Sequence, residues 1–578
     1  MQRSILDFAT SNIVLCPICN QDINHLDIRG RTDHVDTCLK RKVELKYVNG
    51  DIDTNKPAKI IKPPTSIKAT NKKPIPELKT LTFPPDYKIA VDAFNYAPHD
   101  EIDQYFLTHF HADHYGGISK KWAYERVFGL DDSDYENRAK YKKIIYCTGI
   151  TGRLLTLRYS IDPRFIKHLE LDTRYKIKDF TSDDFVDDFG EESNDETPGL
   201  YVIPICANHC PGAAIFLFES IDINNQKHTI LHCGDFRVNE DILHHPSLRK
   251  YSISEGSTPT LLDKVYLDTT YLSSKHNLPK QTLVCETMAN LFEDLSKKTS
   301  SNSLFATWFG VLTQSRITDF WKSGPKIKKK KFLIVIGTYI IGKEKLALAI
   351  SKRLNCLIYV SSIGARKDKY DIFKAYQDEY LESVLTDDEY GGGDEHDCVI
   401  HLVPMTLVGT VEELSNYFNH NKYYETFERC VGLCPTGWSF NQWKPFRPDF
   451  SKTHLEKTID IMESQTSFSY VDDILKQVPK SIKNQKGKPD RELYRLYSVP
   501  YSEHSSFREL AYFVVFFNIG QVIPTVNYEN EESAKKMELY IGAWETIRSI
   551  LTNQPKKEDE VIDNDLLERI KRLSLDIF

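Results

Sequence analysis

No stretch of this sequence is long and apolar enough to form a membrane-spanning helix. The longest apolar run, FLIVIGTYIIG at 332–342, falls well short of the roughly 20 residues a bilayer requires. The start, MQRSILDFATSN, has no apolar core of signal-peptide length, and an intracellular location is expected. A disulfide framework is missing too: twelve cysteines are scattered over 578 residues, and in a reducing compartment clustered cysteines point to metal rather than bridges. Positive charge is not in surplus. Lys and Arg number 75 against 82 Asp and Glu, giving −7, which argues against a uniformly basic nucleic-acid coat, so any anion site must be built locally. The chain carries no internal repeat and no long low-complexity tract.

What is present is an ordinary globular composition, 40% hydrophobic with 31 Tyr and 30 Phe, in a chain long enough for roughly four domain-sized units. A compact Cys/His cluster occupies 14–45, followed by a Lys-, Pro- and Thr-rich stretch over 46–84 without apolar periodicity, which reads as a linker. Residues 1–83 hold 14 Lys/Arg against 9 Asp/Glu, so this arm is +5 and the remainder −12. From 88 to 271 short runs such as KIAVDAF, GLYVIPI, AAIFLFES and KVYLDTTY alternate with polar loops and read as strands of a large sheet domain. Between about 275 and 490 a second α/β unit is expected, with helical spacing in TLVCETMANLFEDLSK and a buried-strand run at KKFLIVIGTYIIG. The C-terminal stretches 531–552 and 560–577 have helical spacing of apolar residues. The acidic stretches 183–199 and 386–397 read as solvated loops.

The chemistry concentrates in LTHFHADHYGG, where His109, His111, Asp113 and His114 fall within six residues directly after the strand-like QYFL. Imidazoles two apart on an extended segment point to opposite faces, so they converge only if the chain leaves the strand and curls around a cation. His209 in ICANHCPGA, Asp235 in LHCGDFR and His504 in YSEHSSF add further donors at strand or loop ends. Seven N/O donors are too many for one tetrahedral zinc ion and suit two ions sharing a carboxylate. The expected partition is His109, His111 and His209 on one ion, Asp113, His114 and His504 on the other, and Asp235 bridging. Such a pair, roughly 3.5–4 Å apart, lowers the pKa of a water toward about 7 and clamps both oxygens of an in-line displacement.

The string VDAFNYAPHDEIDQYFLTHFHADHYGGISK, with ANHCPGA and HCGDFR, resembles the metallo-β-lactamase fold. YLDTTY, GTYIIGKEK, CPTGWSF, PYSEHSS and IPTVN make it similar to the β-CASP branch, and within that branch to the DNA interstrand cross-link repair exonucleases, relatives of Artemis. The resemblance covers nearly all of 85–530. It implies an αββα sandwich in two pieces, 85–274 and 491–578, with a β-CASP α/β domain inserted at 275–490. By the same resemblance Asp92 is a structural acid beside the metal loop, and Asp268 is an acid orienting His504, so the catalytic set is Asp113, His114, Asp235, Asp268 and His504. Val526 stands where RNA-processing relatives carry histidine, which favours DNA.

A nuclease that starts from an end needs a pocket for a terminal phosphate, which hydroxyls and a cation can build. The candidates are Thr151, Ser505, Ser506, and Thr338 with Lys343 and Lys345; for each, helix capping or a solvated charge is the plainer alternative. The KKKK run at 328–331 reads equally as a backbone-tracking patch, a nuclear address or a solvated loop. At the N-terminus Cys16, Cys19, His34 and Cys38 form C-x2-C-x14-H-x3-C, a structural zinc signature whose ion supplies folding free energy to a module too small to fold alone. It resembles the ubiquitin-binding zinc finger of DNA-repair proteins, with a DNA-binding finger as the alternative. Gln2, Ile5 and Phe8 in QRSILDFA look like a sliding-clamp-binding box, with Ala9 where a second aromatic is usual.

The expected protein is thus a nuclear, zinc-dependent 5′-to-3′ DNA exonuclease of cross-link repair, acting on 5′-phosphate ends. It would carry one structural zinc ion and one or two at the active site, with ubiquitin and a sliding clamp as partners and no membrane. Two alternatives stand beside it: an RNA-processing β-CASP endonuclease, and a catalytically silent ubiquitin- and DNA-binding adaptor.

Overall fold

A computed structural model describes residues 74–575, apart from 85, 98, 100, 103, 119–143, 182–189, 255–258, 298–328, 363–366, 393–395, 438–450, 465–466, 475–492, 529 and 555–561. The zinc-finger residues Cys16, Cys19, His34 and Cys38 and the clamp-box residues Gln2, Ile5 and Phe8 lie outside the described residues. No described helix is long and apolar enough to cross a membrane.

Two sheets build a sandwich. The first joins Thr80–Phe83 (β1), Tyr87–Val91 (β2), Gln104–Phe106 (β3), Ile144–Thr148 (β4) and Ile166–Leu169 (β5) in chain order, parallel from β2 onward. The next strands are Tyr175–Asp179 (β6), Glu191–Glu192 (β7), Gly199–Cys206 (β8), Ala214–Ile221 (β9), Lys227–His232 (β10), Leu262–Leu267 (β11) and, much later, Ile519–Pro524 (β18). They form the second sheet in the order β18-β11-β10-β9-β8-β6-β7. Strand β1 starts inside the expected linker, because its Leu81 and Phe83 are needed in the core.

The alternation along β8 and β9 explains the layering. Leu200 and Val202 of β8 and Phe216 and Phe218 of β9 face the first sheet, while Ile203, Ile205, Ile215 and Leu217 point the other way into a helix-covered core. Successive strand side chains take opposite faces, so a sheet buried on both sides reads as a near-continuous apolar run. At the centre between the sheets Phe106 stacks on Tyr146, with ring centroids 4.9 Å apart, and meets Phe216 and Phe218 edge-on at 5.4 and 4.9 Å. The helix Gly149–Tyr159 covers the first sheet; the helices Phe507–Phe516 and Glu531–Leu551 cover the second. All ten residues of Phe507–Phe516 are buried, as expected of a helix apolar nearly all round, and Ser506 with Glu509 closes its start as a capping box.

The chain leaves this sandwich after β11 and returns as β18 beside it, in parallel, with Leu262 opposite Ile519 and Leu267 opposite Pro524. Between them lies the inserted α/β unit, a wholly parallel sheet of Lys330–Thr338 (β12), Ile358–Tyr359 (β13), Leu385–Thr386 (β14), Cys398–Pro404 (β15), Phe427–Pro435 (β16) and Tyr494–Val499 (β17). Its order is β14-β13-β15-β12-β16-β17. The apolar run beginning at 332 is its central strand. Strand β17 extends the insert's sheet beyond residue 490, where the sequence pattern suggested the return to the sandwich. Buried Arg237 pins the junction, donating to the Ser502 carbonyl at 2.6 Å, the Pro279 carbonyl at 2.7 Å and the Glu509 carboxylate at 3.1 Å.

Truncating Phe106 would remove a ring from between the sheets three residues before His109. Phe106→Ala is expected to cost about 3–5 kcal/mol, measured as a shift of the urea midpoint at unchanged slope.

Candidate metal centre

The donors named from the sequence all follow the carboxyl ends of strands, where the chain turns out of a sheet and can aim several side chains at one point. His109 lies just beyond β3, His209 beyond β8, Asp235 beyond β10, Asp268 directly after β11 and His504 shortly after β17. His109, His111, His209 and Asp235 offer ligand atoms within 4.8 Å of one another; Asp113, His114 and Asp235 form a second such group, and Asp235, Asp268 and His504 a third. Asp235 belongs to all three. Its Oδ2 stands 3.5 Å from His109 Nε2, 3.4 Å from His114 Nε2 and 3.8 Å from His209 Nε2. His504 groups with Asp235 and Asp268, whereas the expected partition set it with Asp113 and His114.

Each imidazole is held from behind by its other nitrogen. His114 Nδ1 meets Asp92 Oδ2 at 2.7 Å and His504 Nδ1 meets Asp268 Oδ2 at 2.8 Å. His209 Nδ1 donates to the Glu503 carbonyl at 2.8 Å, and His111 Nε2 donates to the Ile341 carbonyl at 3.3 Å. Thr108 gives its own hydroxyl proton to Asp92 at 2.7 Å, so His109 Nδ1 donates to that oxygen at 3.0 Å. Asp92 takes φ +51, which Asp tolerates better than most side chains, and also receives the Thr108 amide at 2.9 Å. Outer partners of this kind fix the tautomer and leave the inner lone pair for a cation.

This donor set fits divalent metal. With their protons turned outward, the inner nitrogens are bare acceptors, yet His109 Nε2 and His111 Nδ1 lie 2.9 Å apart and His209 Nε2 stands 3.2 Å from the same His111 atom. Facing lone pairs at that separation call for a positive charge between them. Burial pushes His109 and His209 well below the usual histidine range and lowers His111, so these three present neutral imidazoles. Burial also acts to lower His504, but the Asp268 and Asp235 carboxylates outweigh it and bring the group to about 9. The same contest raises His114, where Asp235 and Asp92 prevail. Burial would raise Asp235, but His114 and His504 hold it well below the carboxylate range. Asp113 is largely exposed, at 79% of its side chain, with Oδ2 3.5 Å from His114 Nε2.

The centre opens into a cavity of about 770 Å³ between sandwich and insert, whose walls include Lys79, Arg158, Lys343 and Val526. Of the phosphate-site candidates only Lys343 lines it. Thr151 is fully buried and donates to the Gly212 carbonyl at 3.0 Å; Thr338 sits under Lys369 and faces the Val403 carbonyl. Ser505 donates to the Phe236 carbonyl and accepts from Val238 N, Ser506 caps a helix, and Lys345 binds Asn208 and Gln281. These groups are occupied in holding the fold. The sequence pattern does not single out Glu503, although it precedes His504, nor Ile341, which contributes a backbone oxygen that no side-chain motif can announce.

A strand-end His/Asp cluster beside a two-sheet sandwich with an inserted parallel α/β unit defines a β-CASP metallo-β-lactamase. The family model described as "DNA repair metallo-beta-lactamase" matches residues 381–530. The DNA cross-link repair protein PSO2/SNM1 of Saccharomyces cerevisiae is 30% identical over 562 residues, covering 93% of this chain and 78% of that protein. Its Schizosaccharomyces pombe counterpart is 30% identical over 552 residues, covering 92% and 79%. The 5′ exonuclease Apollo of Danio rerio is 22% identical over 442 residues, covering 76% and 51%. The chain belongs to the PSO2/SNM1 family of DNA cross-link repair nucleases.

If the carboxylate behind His504 orients it, Asp268→Asn should weaken metal binding about 10- to 100-fold. Competition against a chromophoric chelator reads this directly, and unchanged affinity would count against the role.

Proposed function

We propose that this DNA repair nuclease is a zinc-dependent 5′-to-3′ exonuclease acting on 5′-phosphate ends in interstrand cross-link repair, in the nucleus. The observation that carries the reading is the convergence of His109, His111, His114, His209, His504 and Asp113 on Asp235 at the floor of one cavity. One or two zinc ions held by these donors would supply Lewis acidity, lowering the pKa of water and neutralising charge on phosphoryl oxygens.

The remaining work falls to the chain's own groups. His109, His111 and His209 stay neutral and keep their protons on the outward nitrogens, so they present lone pairs inward at fixed angles. Asp235 links the groups, and Asp113, at the open side, completes the second of them. Lys343 donates to the Pro435 carbonyl at 2.7 Å and, with Lys79, places positive charge along the cavity for a terminal phosphate, while Arg158 on the same wall pairs with Asp368. The Pro435 carbonyl anchors the Lys343 ammonium, and Glu503 holds the Lys343 backbone amide. The 5′ polarity is supported by the zebrafish relative, which is named a 5′ exonuclease. DNA rather than RNA is supported by Val526 on the cavity wall. We read Cys16, Cys19, His34 and Cys38, outside the described residues, as a structural zinc finger that recruits the enzyme to ubiquitylated partners. Gln2, Ile5 and Phe8 are read as a clamp-binding peptide.

Purified protein should shorten 3′-labelled, 5′-phosphorylated DNA from its 5′ end, act less on 5′-hydroxyl ends and on RNA, and stop in chelator. Asp113→Ala and Asp235→Ala should each lose more than about 100-fold in rate. Full activity in either variant, or in chelator, would overturn the metal assignment. Elemental analysis of the full chain should give up to three zinc ions, and Cys16→Ser should remove one while nuclease activity persists.

A further inference from the structure

Three large apolar side chains on the cavity wall stand well into solvent: Tyr339 at 53%, Ile340 at 55% and Tyr528 at 41%. Single exposed apolar residues are ordinary, but Tyr339 and Ile340 are adjacent in sequence and sit at the mouth of the catalytic cavity. Their backbone is held on several sides. The Tyr339 carbonyl accepts from Lys369 Nζ, and the Ile341 carbonyl accepts from His111 Nε2 at 3.3 Å. The Gly342 amide donates to Glu344 at 2.9 Å and the Lys343 amide to Glu503 at 2.5 Å. Gly342 takes φ +99, and a Cβ there would meet Glu503 Oε2 at 2.7 Å, so the turn requires glycine. The two side chains therefore project from a fixed loop and need little ordering on binding.

We propose that Tyr339 and Ile340 form a stacking platform for a nucleobase within one nucleotide of the scissile phosphate, an inference that rests on the nuclease reading above. Lys343 Nζ lies over the Tyr339 ring, 4.4 Å from its centroid, which leaves the other face for a base. The same ammonium lines the phosphate-bearing cavity, so ring and cation together match a polyanion carrying flat aromatic groups, rather than an apolar peptide or a lipid tail. Position follows from the chain: Ile341 touches a metal-centre histidine, and Ile340 and Tyr339 are one and two residues further out at about 3.8 Å per residue. Every base has a π-face, so such a platform binds any sequence and tightens the grip on the strand without reading it.

The test compares wild type, Tyr339→Ala and Tyr339→Phe on 5′-phosphorylated single strands with natural bases or with an abasic tetrahydrofuran residue at the first or second nucleotide. Tyr339→Ala should lower kcat/KM on natural DNA by about 5- to 150-fold, mainly through KM. On the strand lacking the stacked base, wild type should fall to the same level and the variant should lose little more. Tyr339→Phe should stay near wild type. An equal loss for Tyr339→Ala on natural and abasic strands, or no loss at all, overturns the platform while leaving the nuclease reading intact. If wild type cleaves no strand, the nuclease reading fails, and 2-aminopurine at the same position then decides the platform separately. Fluorescence quenching on binding in chelator, lost in Tyr339→Ala, supports it; binding without quenching refutes it.

Discussion

The site depends on one carboxylate. Asp235 is the atom-level meeting point of three donor groups drawn from five strand ends, and its neighbours are imidazoles whose outward nitrogens are already committed. Packed so closely, bare ring nitrogens and buried carboxylates would repel or draw in protons; a divalent charge resolves both, which is why this cluster reads as a metal centre rather than a core polar network. The imidazoles that burial keeps neutral and those that carboxylates would protonate divide the same way as the acids behind them: Asp92 serves His114 and Asp268 serves His504.

The inserted unit is bound into this centre and is more than a cover. His111 finds its outer partner in the Ile341 carbonyl, on the loop leaving the insert's central strand. Glu503 holds that loop with its carboxylate and His209 with its carbonyl, one residue before His504. Burial and the neighbouring Glu344 push Glu503 up to about 7, so an acid with little exposure is spent on a junction rather than left to solvent. Arg237 ties the same segment to Pro279 and Glu509. Motion of the insert against the sandwich would therefore disturb two imidazoles directly.

Four of the candidate donors, His109, His111, Asp113 and His114, stand out in the sequence because their spacing is local: imidazoles and carboxylates crowded into six residues after a strand would repel or stay unsatisfied without a cation to gather them. Strands β8, β9 and β12 were legible for a similar reason, since their apolar runs match sheets buried on both faces. Hydroxyls carried less information. Thr151, Thr338, Ser505 and Ser506 stand beside motif residues, but a short hydroxyl can cap a helix or close a loop as readily as face a ligand, and burial assigns them to the former. The strand that closes the insert's sheet is not marked in the sequence, because β17 looks like any short strand; only its pairing with β16 shows which sheet owns it.

By itself the sequence determined the kinds of donor, their order along the chain and the presence of a sheet domain followed by a second α/β unit, because these follow from side-chain chemistry and from periodicity over a few residues; the two-part sandwich with its insertion came from the resemblance of its motifs to a known family. The tertiary structure decided which nitrogen of each histidine points inward, that Asp235 is shared, that a backbone carbonyl of the insert supports His111, and which apolar residues remain exposed at the cavity mouth. Those are contacts between segments up to a few hundred residues apart, fixed by how the sheets pack, and spacing along the chain carries no record of them.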